Sequence, residues 1–151
     1  LDSYKKGTST ADVLLCKLNG IPGVIQEGIG DQATEIIHWV EDDDDVIQIA
    51  LRRLRIAVAT TGSWRLMQLG EKEEDVVDYI TQTGFALDPY VDGRITQAKH
   101  TYRGPFNASY YFGNQAVREV RLRMSTEDYP EFIRYLYGNM HSLDGFLQYG
   151  S

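Results

Sequence analysis

Acidic residues open, and glycines close, one apolar-periodic stretch after another, and no stretch of this chain alternates apolar and polar residues long enough to make a strand. That punctuation predicts an all-α chain, a single-domain bundle of about seven to eight helices. A first helix is expected over Lys5–Asn19, opened by Ser9 or Thr10 and stopped at Asn19-Gly20. A tight turn at Ile21-Pro22-Gly23 leads to a second, Val24–Val40, with Ile25, Ile29, Ala33, Ile36, Ile37 and Val40 as its apolar stripe. The third and longest runs from Asp44 or Asp45 to Leu69, interrupted by the small residues Thr60-Thr61-Gly62-Ser63, a pattern of tight helix packing or a kink. Five more follow: one opened by Glu71–Asp75 and closed at Gly84, one from Asp88-Pro89 to near Arg103, then Phe106 or Asn107 to Met124, Thr126–Tyr137 and Ser142–Tyr149.

Within the second helix, Glu27-Gly28-Ile29-Gly30-Asp31 is the candidate site. Carboxylates four residues apart share a helix face and repel unless a cation answers them. Glycine inside a helix costs about 1 kcal/mol relative to alanine, and the usual return is close approach of another backbone or a ligand. The plainer reading is a pair of carboxylates favoured by the positive end of the helix dipole. Glu41–Asp45 invites a calcium reading, but the alternate spacing and the glycine of such a loop are absent, and a helix cap explains the run.

With 151 residues, 42% of them hydrophobic, one core is the simplest count, and no linker or repeat divides the chain. The lone Cys16, within Val13-Leu14-Leu15-Cys16, suits a buried thiol in a reducing cytoplasm. No run of about 18 apolar residues marks a membrane span, and no leader is recognisable. A net charge of −7 and a pI near 4.9 argue against nucleic acid as a partner. His38, between Ile37 and Trp39, is expected to be packed or hydrogen-bonded, His100 exposed, and His141 in a loop.

The order of these features resembles the C-terminal part of a helical zinc-peptidase-like family of gluzincin type, domain of unknown function family 885 and its relatives. Leu18-Asn19-Gly20-Ile21-Pro22-Gly23-Val24-Ile25-Gln26-Glu27-Gly28-Ile29-Gly30-Asp31 is similar to that family's Glu-Gly-x-Ala-Asp-like motif with its preceding turn. Gly104-Pro105-Phe106-Asn107-Ala108-Ser109-Tyr110-Tyr111-Phe112-Gly113 is similar to its Pro-Gly-Gln-Ala-x-Ser-Tyr-x-x-Gly. Phe132–Leu147 resembles its closing helix pair, with Ile133 where a histidine is common. The resemblance implies a zinc site in the intact family fold, with Glu27 as third metal ligand, Asp31 behind it, and Tyr110 and Arg55 as catalytic candidates. Tyr110 would donate to the tetrahedral oxyanion; Arg55 would pair with Glu27 or bind a substrate carboxylate, although an amphipathic helix surface also explains it.

Two departures stand out. Thr60-Thr61-Gly62-Ser63-Trp64 replaces the family's Asp-Thr-Gly-x-His, and no His-Glu-x-x-His exists anywhere. A catalytic zinc needs about three protein ligands, so the chain alone is expected to hold no zinc and hydrolyse no peptide. The resemblance therefore implies a fragment or truncated form of a larger fold, with an N-terminal segment or separate chain supplying the missing helix. The alternative is a non-catalytic binding or oligomerisation module on that scaffold. An uncovered apolar surface around Ile25, Ile29 and Trp64 would mark the place of the missing part or of a second copy in a homodimer.

Overall fold

The computed structural model describes residues 5–7 and 23–150. Apart from Lys5–Gly7, the expected first helix, including Cys16, lies outside the described residues, as do Ile21 and Pro22 of the turn. Every regular element among the described residues is helical, as the punctuation predicts: α1 (Gly23–Asp31), α2 (Ala33–Ile36), α3 (Asp43–Met67), α4 (Glu73–Gly84), α5 (Asp88–Lys99), a 3-10 turn (Gly104–Phe106), α6 (Asn107–Arg123), α7 (Tyr129–Gly138) and α8 (Leu143–Leu147). No helix among them is long and apolar enough to cross a membrane.

The chain divides into two units, and each has its own cluster of buried apolar side chains among the described residues. The first unit takes the chain up to Ile37 and from Phe112 onward; the second is His38–Tyr111. The boundary on the return path falls inside α6.

In the first unit the expected single helix over Val24–Val40 is two short ones. Gln32 interrupts it with φ −94° and ψ 2°, and the chain leaves helical geometry after Ile36. The stripe therefore holds only in part: Ile25 and Ile36 are buried and Ile29 packs against the core, whereas Ile37 and Val40 are exposed. Ala116, Val117 and Val120 of α6, Phe132 and Leu136 of α7 and Phe146 of α8 complete the cluster. Full burial of a side chain of this size contributes about 1.5–3 kcal/mol. Ser142 caps α8, accepting from the Gly145 N–H at 3.2 Å. Aromatic rings close this end: Tyr135 and Tyr149 stack at 4.0 Å and 14°. His141 lies 4.5 Å from Tyr135 and 5.1 Å from Phe146, its Nε2 3.2 Å from the Leu136 carbonyl oxygen.

In the second unit, Asp42 is the N-cap of α3, its side chain accepting from the Asp45 N–H at 3.0 Å, while the Asp45 carboxylate accepts from the Glu41 N–H at 2.9 Å. The acidic run is thus a helix start, as its spacing indicates. The small-residue stretch does not break α3, which is continuous to Met67. Gly62 makes room for α4: a Cβ there would sit 2.8 Å from Ile80 Cδ1. Val58, Val76, Ile80, Ala86, Val91 and Ile95 form the core of this unit. The end of α4 is closed by Phe85, which takes a left-handed φ of 46°, and by Arg55, whose Nε and Nη2 donate to the carbonyls of Gly84 (3.2 Å) and Phe85 (2.7 Å).

Candidate functional site

The helix that carries Glu27 and Asp31, α1, touches α6 backbone to backbone. A Cβ on Gly28 would lie 2.9 Å from Gly113 Cα, and one on Gly113 would lie 2.9 Å from the Gly28 nitrogen. Neither helix tolerates a side chain at this crossing. Gly28 therefore serves the close approach that its cost in helix propensity suggests. Gly30 does not: it is exposed and nothing lies within 4 Å of its Cβ position.

Immediately after Gly113 stands Asn114, 2% exposed, whose Nδ2 donates to Asp31 Oδ2. Its other amide atom, Oδ1, is buried without a hydrogen-bond partner. Directly after Asp31, the fully buried Gln32 accepts from Arg121 Nε at 3.2 Å, and Arg121 Nη2 donates to Glu35 at 3.1 Å. That ion pair is only 15% exposed on each side. Asn114, Val117 and Arg121 follow one another at three- and four-residue steps, so two polar residues share one face of α6 with the core residue Val117. Asn114, Gln32, Glu35 and Arg121 do not stand out in the sequence; polar residues at three- and four-residue steps from the buried Val117 are the signal that marks two of them.

Glu27 is half-buried, and burial first and the neighbouring Asp31 second push its carboxyl above its ordinary range. A carboxyl raised by burial and by a neighbouring carboxylate holds its proton more tightly than a free one. No three His, Cys, Asp or Glu side chains are grouped to hold an ion among the described residues.

The other two candidates lie in the second unit. Arg55 spends its guanidinium on the carbonyls that end α4. Tyr110 sits in the first turn of α6, edge-on to Phe106 at 5.6 Å, with the Arg94 guanidinium 5.4 Å from its ring centre. Neighbouring Asn107 is 3% exposed; its Nδ2 donates to Ser63 Oγ at 2.9 Å and its Oδ1 is unmatched.

The histidines have separate settings. His38 is exposed and holds a left-handed φ of 56°, which turns the chain after α2. His100 is exposed as expected, and its Nδ1 accepts from the Tyr102 and Arg103 N–H groups, each at 3.2 Å. His141 lies in the α7–α8 connection but is buried, 6% exposed, and burial lowers its pKa against the opposing effect of the Leu136 and Tyr135 carbonyls.

Compared with protein-family models, with curated proteins and with solved structures, the chain finds no match in any of the three.

Proposed function

We propose that this chain is the glutamate-bearing part of a zinc-peptidase-like fold, cytoplasmic, and inactive until a His-Glu-x-x-His helix from an upstream segment or a separate chain joins it. The observation that carries this reading is the Gly28–Gly113 crossing. It joins the two stretches on which the family resemblance rests most, and it places Asn114 against Asp31 beside the half-buried Glu27. Glu27 would be the metal ligand and Asp31, fixed by Asn114, would hold it in orientation. Zinc, when bound, would supply Lewis acidity and a water of lowered pKa. The chain's own contribution would be a half-buried carboxylate beside the Gly28–Gly113 crossing, part of whose hydration is already lost in the fold.

Zinc content measured on the natural full-length protein, or on this chain co-purified with its His-Glu-x-x-His partner, tests the proposal. Near-equimolar zinc is expected, falling by more than about tenfold in Glu27→Gln and by less in Asp31→Asn. Zinc bound equally well by Glu27→Gln, or a natural reading frame and partners without any His-Glu-x-x-His, rejects it.

A second reading, a non-catalytic binding or oligomerisation module, draws on a different surface. Ile25 is fully buried and Ile29 packs on the core, so neither offers the uncovered patch expected around them. Trp64 is 54% exposed, and with Ile47, Ala50, Leu54 and Thr61 it forms an exposed, mainly apolar stripe along α3 at heptad-like spacing. Light scattering during a zinc titration separates the two readings. A module of this kind associates without regard to metal, and Ile47→Glu with Trp64→Glu disperses it.

A further inference from the structure

Although α3 starts at Asp43, its first buried side chain is Ile56. In the turns before that, Ile47, Ala50 and Leu54 are exposed along one side of the helix. Asp43 opens their line and Ala57, Thr61 and Trp64 carry it on, in alternating steps of four and three residues, the spacing of a two-helix seam. Of these, Ala57 is partly covered and the rest are exposed. The order of sizes along the line is a second observation. Turned end for end about a point level with Arg52, the line sets Ile47 against Ala57, Leu54 against Ala50 and Asp43 against Thr61, because each of these pairs is centred on that position. Every large side chain then faces a small one, as interdigitating layers require, and the one carboxylate faces a hydroxyl. A parallel pairing in register would instead stack Trp64 on Trp64, leave alanine against alanine at two levels and set Asp43 against its own copy.

We propose that α3 is the seam of a homodimer, in which a second copy of this chain lies antiparallel along the stripe with the two-fold axis level with Arg52. Trp64 of each copy then reaches the exposed Val40 that precedes α3 of the other. Such a pairing makes every contact twice and closes on itself, and each helix dipole meets the opposite end of its neighbour. The inference rests on the second reading above, whose surface it uses and whose occupant it names. The 25 residues of α3, at 1.5 Å each, give a seam roughly 38 Å long. It is only one helix wide, at the small end of specific interfaces, below about 1,200 Å² in total, so the dimer is a dissociable one.

Sedimentation equilibrium of the full chain tests it, and a monomer–dimer equilibrium with Kd on the order of 10 μM is expected. Thr61 is exposed and belongs to neither core, so its charged replacements keep the fold and read the register by opposite signs. Thr61→Lys brings a cation to Asp43 of the second copy and should tighten the dimer by about threefold to tenfold; Thr61→Asp brings a like charge there and should loosen it by about as much. A parallel pairing would set position 61 against itself, and both changes would then weaken it. Weakening by both, an unchanged Kd in both, or assembly beyond a dimer overturns the proposal. A chain that stays monomeric up to about 1 mM also overturns it while leaving the stripe open to another protein. A dimer that survives Ile47→Glu with Trp64→Glu removes the second reading along with it.

Discussion

Gly28 and Gly30 stand two positions apart on one helix and answer to different forces. Alanine at Gly28 meets the backbone of α6 and should cost about 3 kcal/mol, the upper end for an overpacked interior. Alanine at Gly30 meets nothing and should stabilise by up to about 1 kcal/mol through helix propensity. Urea unfolding of the two variants checks both signs. Glu27 and His141 set opposing pH dependences. With its carboxyl raised above 4.5, folded Glu27 holds its proton more tightly than the unfolded chain does. Its effect favours folding most at low pH and is lost as pH rises from 4.5 through the folded value. Glu27→Gln should therefore raise Tm at pH 7 and leave it unchanged at pH 4, and an equal gain at both would reject this account. With its pKa lowered from 6.5, His141 acts the other way. Its contribution is full above 6.5 and disappears as pH falls from there through the folded value, so His141→Leu should flatten the acid limb of the stability profile between pH 7 and 5.

Among elements, those whose ends are written locally were legible. Asp42 capping α3, Gly84 ending α4 and Pro89 in the first turn of α5 are short-range signals, and the helices fall within a few residues of their expected bounds. Asp42→Ala should cost about 1 kcal/mol, read as a lowered Tm with faster amide exchange confined to the first turn of α3. Arg55→Ala should cost about 1–2 kcal/mol by freeing two carbonyls at the end of α4, with exchange rising there rather than around α3. The break at Gln32 was not legible. Its buried side chain is held by Arg121, 89 residues later, and a window of a dozen residues carries no trace of that partner. The candidate site divides along the same line. Glu27 and Asp31 could be found from spacing, whereas Asn114 acquires its meaning from a residue on another helix.

For the molecule as a whole, two separate cores mean two separable responses to damage. Leu136→Ala in the first unit and Ile80→Ala in the second should each cost about 2–5 kcal/mol. Hydrogen exchange should then rise through α7 and α8 for the first variant and through α3–α5 for the second, and uniform loss of protection in either case would show a single cooperative body. The first unit is assembled from two separate stretches, with His38–Tyr111 lying between them in sequence. On the ribosome, His38–Tyr111 is complete before the helices that follow Phe112 have been made, so this portion can fold early. The first unit must wait for Phe112 onward to emerge, holding α1 in readiness for helices that do not yet exist.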